Sequence, residues 1–439
     1  MKKGKKLIAI IVSALMIVTL AIGLAACNKT NPNPTQKNVT VGMFWYKEDD
    51  LYLTSVRNQV EQTVFKGTNF IVKEFYANND GATLKQLVTQ NIADLDILVV
   101  NPVDGTDDTT LNAIVKVASD ACKPIIFFNK EVSNDVLAQY AFAYYVGTVS
   151  KQSGVTEGTI MANYLIGSDK KLTNAVKYAS TDVYNGNSGG LYTTAWGTTN
   201  ASGVDMTSLK VIYYAMLRGQ EGHADSDART YWSVMQANSM LIPYGYILRP
   251  SPLMAQTTNL TLTDNPVGSL GLPLVTQEEK DIFAKFVGAN DSWDGTTANN
   301  NFNSAFSTAL GTPATLTSKL GVIFSNNDGM ALAVVNGALK DAGYNKATTD
   351  TAYDAAKVIP IVGVDGDSAN LQLIKDGSQI GTVLQSSKAY AQLFLYFCYI
   401  YSGDSASALA LKSSSDFVVD GYTDNPSIKK LYFNYGVAV

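Results

Sequence analysis

Only one histidine occurs in the 439 residues of this chain, His223, within the stretch GQEGHADSDAR (219–229). Asp225, Asp227 and Arg229 follow it. Taken alone, the stretch reads as a solvated helix start whose acids meet the positive end of the macrodipole. The same chemistry recurs elsewhere: Asp49 and Asp50 follow VGMFWYKE, Asn101 follows ILVV, Asn326 and Asn327 follow GVIFS, and Asp365 follows IVGV. One such residue after an apolar run can be a helix cap and nothing more. Five runs ending in Asp, Asn or His point to a shared ligand. Carboxylates, amides, an imidazole and a guanidinium suit a polyhydroxylated molecule, because each hydroxyl both donates and accepts. Tyr52 and Trp293 offer flat apolar faces for the C–H side of a sugar ring. With 24 Tyr and 16 Phe in the chain, core packing is the commoner fate of an aromatic.

The elements that would position these residues alternate. VTVGMFWY (39–46), FIVKEFYA (70–77), DILVVNP (96–102) and KPIIFFNK (123–130) read as buried parallel strands. Between them, 51–67, 82–94 and 109–121 carry apolar residues at helical spacing. LKVIYYAML (209–217), LGVIFSNND (320–328), VIPIVGVD (358–365) and IGTVLQ (380–385) continue the pattern, with helices at 329–343 and 388–402. Regular β-α alternation predicts an α/β fold of doubly wound parallel sheets with right-handed crossovers. Ligands of such sheets bind beyond the carboxyl ends of the strands, where the polar residues cluster. Three stretches rich in Gly, Asn, Thr, Pro and Tyr break the rhythm: 169–208, 241–295 and 344–357. They read as insertions.

Composition narrows the setting. Charged residues make up 16% of the chain and the net charge is -5, with no basic cluster after residue 6, which argues against a nucleic-acid partner. The N-terminus has a lysine-rich start, a long apolar run and then Leu24-Ala25-Ala26-Cys27, the pattern of a lipoprotein signal peptide over 1–26 with lipid on Cys27. An uncleaved membrane anchor is the alternative. Residues 27–38 form a tether of turn formers. Cys122 and Cys398 sit in apolar contexts, and export permits but does not require their pairing. Zinc is disfavoured by a single histidine and no CxxC.

YKEDDLY followed by SVRNQVEQ, then NPVD, IIFFNKEVSNDVLAQYAFAYYVGTVSKQSG, GQEGHADSDAR, NNDGMALAVVNGALK, GVDGDSANLQLIKDG and GTVL occur here in sequence. In that order they resemble the bacterial periplasmic glucose/galactose-binding proteins, substrate-binding components of sugar ABC transporters with a type 1 periplasmic binding protein fold. The resemblance runs from about Val39 to the C-terminus, interrupted by the three insertions. It implies a clamp aspartate at Asp50 that accepts from the sugar 4-hydroxyl and tolerates both epimers. It implies stacking by Tyr52 and Trp293 and hydrogen bonding by Asn101, His223, Asp225, Arg229, Asn327 and Asp365. His223 and Asn101 would meet the hydroxymethyl end, Asp225 and Arg229 the anomeric end. Where the family has an asparagine after GTVL, this chain has Gln385, so galactose against glucose stays open.

The resemblance further implies two lobes joined by a three-segment hinge, closing over the sugar. Crossings are expected near 121–125, 383–387 and 430–435. The lobes would then be 39–122 with 386–432, and 123–385 with 433–439. The family often carries calcium in a D-x-N-x-D-G-x-x-Q loop, completed by a glutamate. Here the corresponding SGVDMTSLKVIYYAML has Asp205 as its only acid, the preceding insertion adds Asp182, and Gly321 takes the glutamate position. Calcium needs six to eight oxygens, so no metal or other cofactor is expected. The expected function is a monomeric, exported lipoprotein on the outer face of the cell membrane that hands D-galactose or D-glucose to the membrane permease of an ATP-driven importer. The alternative is a sensor component presenting the sugar to a chemoreceptor or histidine kinase. A glycosidase drawing a carboxylate pair from Asp50, Asp225 and Asp365 is the enzymatic reading, and the resemblance favours binding over it.

Overall fold

The computed structural model describes residues 38–184, 199, 203–205, 207–220, 223–256, 285–286, 291–417, 423–425 and 429–439. Cys27 and nearly all of the tether lie outside the described residues, as do 185–198 and 257–284 of the expected insertions. No described helix is long and apolar enough to cross a membrane.

The chain divides into two units. The first runs up to Thr148 and takes in Ser387–Asn434, and the second comprises Val149–Ser386 and Tyr435–Val439. In the first, β1 (Val39–Trp45), β2 (Phe70–Tyr76), β3 (Ile97–Val100), β4 (Ile125–Phe128) and β5 (Ala143–Gly147) form a parallel sheet in the order β5-β4-β3-β1-β2. The strand Lys430–Tyr432 extends it parallel to β5, and Thr423–Asn425 adds an antiparallel edge.

Alternation along the strands explains why both faces are covered. Val41, Met43, Trp45, Ile97 and Val99 point into one core with the helix Ser387–Tyr401 and with α1 (Leu51–Gln59). Phe44, Leu98 and Val100 point into the other, against α2 (Gly81–Asn91) and α3 (Asp108–Asp120). Asp50, Asp80 and Asp107 cap α1, α2 and α3 by accepting from backbone N–H groups of their first turns.

The second unit begins with α4 (Ser150–Ile166). Its sheet comprises β6 (Val183–Tyr184), β7 (Leu209–Leu217), β8 (Tyr246–Pro250), β9 (Val322–Ser325), β10 (Ile361–Asp365) and β11 (Gly381–Leu384). The order is β11-β10-β9-β7, with β8 pairing parallel to β7, β6 antiparallel to β7, and Gly436–Ala438 antiparallel to β11. The main helices here are α4, α5 (Ala224–Leu241), α6 (Gly295–Leu310), α7 (Asp328–Val334) and α8 (Ser368–Lys375).

Two expectations need correcting. The first passage between units lies at Thr148–Val149, not near 121–125, because β4 and β5 continue the first sheet beside β3. The expected crossing, taken from the resemblance, assigned β4 to the other lobe, and AYYVG was not read as a strand, so the first sheet was cut two strands early. The other passages lie at Ser386–Ser387 and Asn434–Tyr435. The stretch 241–295 is also not wholly an insertion, since β8 is a ladder strand of the second sheet. Cys122 and Cys398 are both free thiols, the latter buried, with burial pushing its thiol far up.

Candidate functional site

In the first unit, Asp50 ends the loop after β1. One carboxylate oxygen caps α1 through the Leu53 N–H at 2.8 Å, and the other accepts from the Tyr46 hydroxyl at 2.7 Å. Each oxygen keeps a lone pair for a further donor. Tyr52, on α1, is buried in the first unit's core, its ring meeting Tyr390 edge-on at 6.3 Å. Asn101 follows β3 and is fully buried. Its amide Nδ2 donates to the Phe128 carbonyl at 3.1 Å, while its Oδ1 has no hydrogen-bond partner.

The second unit gathers more. His223 caps α5, its Nδ1 accepting from the Asp225 N–H at 3.2 Å. A ring nitrogen that accepts carries no proton, so this bond sets a neutral imidazole with its proton on Nε2. Asp225 Oδ1 accepts from the Ser150 hydroxyl at the start of α4. One and a half turns into α5, Arg229 lies buried at the end of the sheet. Its Nη1 donates to the Asn326 carbonyl at 2.7 Å and approaches Asp365 at 3.8 Å. Its Nη2 reaches Gln385 Oε1 at 3.4 Å and the Tyr435 hydroxyl at 3.5 Å. Burial opposes its charge, but Tyr435, Asp365 and Asp225 outweigh that and hold it firmly protonated.

Trp293 covers this guanidinium, the ring centroid 5.6 Å away, and meets His223 edge-on at 5.5 Å. The Nε of Arg229 and the indole N–H of Trp293 are buried without hydrogen-bond partners. Asp365 ends β10 with φ at 127°, a conformation that side-chain-bearing residues rarely adopt and that collects at functional sites. Asn327 caps α7 through the Met330 N–H at 2.9 Å.

The structure therefore brings His223, Asp225, Arg229, Trp293, Asp365 and Gln385 together at the carboxyl ends of β7, β10 and β11. Asn327 stands at the adjacent end of β9. Three of the strand-end residues, Asp50, His223 and Asn327, are helix caps, so capping accounts for more of the pattern than the sequence suggested.

Asn326 was noted in the sequence only as a polar strand end, and Arg218, Glu157 and Asp328 were not singled out. Asn326 Oδ1 accepts from the Gly219 N–H and from the hydroxyls of Ser226 and Thr230, knotting β9 to α5. Arg218, fully buried at the end of β7, pairs with Asp227 at 2.5 Å. Glu157 on α4 is also fully buried. It accepts from the Ser325 N–H at 3.2 Å, and burial pushes its carboxyl well up. Asp328 accepts from Gly366 and Asp367 N–H groups and from Thr382, fixing the loop after Asp365. Burial, helped by Asp367, raises it to about 7. In sequence these residues look like ordinary solvated polar positions.

The positions at which the resemblance would place calcium ligands are otherwise engaged or closed. A side chain at Gly321 would meet the Tyr178 carbonyl at 2.7 Å, so this position has no room for a ligand residue. Asp205 is occupied by the Thr207 turn and Asp182 by the Tyr213 hydroxyl. Among the described residues no group of three His, Cys, Asp or Glu side chains converges as metal ligands would.

Residues 275–403 match the model of a periplasmic binding protein domain. Over 392 residues the chain is 25% identical to the D-galactose/methyl-galactoside binding periplasmic protein MglB of Haemophilus influenzae, covering 87% of each chain. It is similar in structure to an ABC transporter periplasmic solute-binding protein of Actinobacillus succinogenes with bound D-allose. There the TM-score is 0.56 and the identity 16%, over 91% of this chain and 97% of the other. A carbohydrate transporter solute-binding protein of Chloroflexus aurantiacus, in complex with D-glucose, matches with TM-score 0.51 and 18% identity, over 92% and 93%. The chain is thus similar to sugar-binding periplasmic proteins and shares the two-lobed α/β fold of ABC-transporter solute-binding proteins.

Proposed function

We propose that this protein captures D-galactose or D-glucose outside the cytoplasm and delivers it to the permease of an ATP-driven importer. In this reading it works as a monomer, held at the outer face of the membrane by lipid on Cys27. The observation that carries the reading is the arrangement around Arg229. A buried guanidinium lies under the Trp293 indole, with Asp365, Gln385 and His223 around it and its Nε–H still unpartnered. A flat apolar face beside fixed donors and acceptors matches a pyranose, which is apolar on one face and hydroxylated at its rim. Asp50, Tyr52 and Asn101 supply the first unit's share of the contacts, and Asn327 and Asp225 complete the second's. His223, with its proton on Nε2, serves as a donor.

The relatives' sugars differ: galactosides, allose and glucose among those above. Gln385 is the residue through which this chain would set its own preference, because its amide already engages Arg229.

Calorimetry against a panel of aldohexoses and pentoses tests the reading. Charge-assisted hydrogen bonds at this density predict a dissociation constant on the order of micromolar or tighter for one hexose. Absence of heat with every aldohexose at millimolar concentration would overturn it. The anchor is tested separately: Cys27→Ser should release the protein from cells that otherwise retain it in the membrane fraction, and unchanged retention would refute lipidation.

A further inference from the structure

We infer that Asp291 is the positioning residue that sets the Trp293 ring over the binding arginine. This rests on the reading of Trp293 as the sugar-stacking residue.

Trp293 belongs to no helix or strand. It lies in the short loop between Asp291 and α6, where Ser292 and Trp293 both have left-handed backbones, φ 53° and 61°. Two consecutive non-glycine residues in that region are disfavoured by clashes of their Cβ atoms, so the surrounding structure has to impose the conformation. Asp291 is where it is imposed. The residue is fully buried. One carboxylate oxygen accepts from the Arg218 N–H at the end of β7 at 3.1 Å, and the other from the Asn301 amide on α6 at 2.7 Å. The backbone adds Asp291 N–H to the Arg218 carbonyl, Ser292 N–H to the Gly219 carbonyl and Asp294 N–H to the Asp291 carbonyl. One carboxylate thus ties strand, loop and helix together at the base of the indole.

The seat under the ring is shaped to match. A Cβ at Gly219 would stand 2.6 Å from three atoms of the Trp293 ring, so the indole lies directly on the bare backbone of Gly219. The ring has little latitude from below, and its tilt is fixed by the loop that Asp291 holds. Since Arg229 sits 5.6 Å from the ring on the guanidinium side, a changed tilt changes the face offered to a sugar. Asp291 does not itself touch any residue assigned to the ligand other than through this loop and the Arg218–Gly219 backbone. Burial raises its carboxyl to about 6, against the pull of its Asn301 and Arg218 donors. A carboxylate kept in so unfavourable a place is consistent with a positional task.

The test uses the full-length protein and first needs no sugar. Acrylamide quenching is measured for the wild type, Asp291→Ala and Asp291→Asn, each with and without Trp293→Ala. Subtracting the paired curves isolates the Trp293 contribution from the other three tryptophans. Asp328→Asn, an equally buried acid of the same unit that does not contact this loop, controls for general loosening. The Trp293 component should become at least twofold more quenchable in Asp291→Ala and less so in Asp291→Asn, with Asp328→Asn near wild type. An unchanged component in both Asp291 variants, or an equal change in Asp328→Asn, overturns the inference. Should the alanine variant not fold, the asparagine variant decides. Calorimetry on the same proteins should then show a tenfold or greater loss of hexose affinity in Asp291→Ala. If the wild type binds no aldohexose, the sugar reading fails on its own, while the quenching result still judges the role of Asp291.

Discussion

The two units share one architecture and differ in what they bury. Among the described residues, the first buries no carboxylate: its buried polar side chains are Asn101, Lys130, Thr148, Gln392 and Lys430, and its cores are aliphatic and aromatic. Phe128, for example, packs against Trp45, Tyr390 and Phe394. The second unit buries Glu157, Arg218, Asp227, Arg229, Asp291, Asp328 and Asp365. Ionised groups out of water are costly unless paired and hydrogen-bonded, so the second unit depends on a correct polar network while the first depends on packing volume. The expected ligand set is divided in the same uneven way, with most of it on the second unit.

The largest effect should come from removing one partner of a buried ion pair. Asp227→Ala takes away the carboxylate that meets Arg218 and should destabilise the second unit by about 3–5 kcal/mol. Hydrogen exchange read by mass spectrometry should accelerate across Leu209–Leu217 and Ala224–Leu241 while Val39–Trp45 keeps its protection. Uniform acceleration would mean that the contrast between the units does not govern their stability.

The apolar counterpart is Phe128→Ala. A cavity in the first unit's core should cost about 3–5 kcal/mol, with the exchange pattern reversed. If Phe128→Ala were nearly neutral, the first unit would not be held by packing in the way its composition implies.

The third prediction uses pH. Asp291 and Asp328 are raised to about 6 and about 7, and Glu157 is raised as well, all chiefly by burial. An acid whose folded pKa exceeds its unfolded value binds protons preferentially in the native state. These groups therefore make stability fall as pH rises from about 4 through about 7. The second unit should resist urea better at pH 5 than at pH 8, by at least on the order of 1 kcal/mol. No such slope should arise from buried acids in the first unit. A second unit that gains stability between pH 5 and 8 would contradict the burial account.

The smallest effect belongs to a cap. Asp50→Ala removes the acceptor for the Leu53 N–H and should cost about 1 kcal/mol in the absence of sugar, besides weakening hexose binding. Thermal unfolding without ligand measures it. A melting temperature identical to wild type would show that the Asp50 carboxylate acts on the ligand alone.

How much of this was legible in the sequence depended on the range of the interaction. Strand and helix positions such as 209–217 follow from local apolar periodicity, and the polar ends of those runs marked the region proposed as the site. β5 and β8 were missed because AYYVG and YILRP are short and are stabilised as strands by neighbours distant in the chain. Asp291 and Glu157 were passed over, and Asn326 was read only as a polar strand end, for the same reason. Asn326 bonds to Ser226, 100 positions away, and Asp291 bonds to Arg218, 73 away.

The sequence by itself determined the alternating α/β architecture, the acid and amide strand ends, and the single histidine with its companions Asp225 and Arg229. These depend on side-chain type and on spacing within one element, which the chain carries locally. Only the tertiary structure decided where the chain passes from one unit to the other, which carboxylates are desolvated, and that Trp293 lies on Gly219 over Arg229. Those outcomes depend on which segments meet across a hundred residues or more, and burial is a property of that meeting rather than of any residue alone.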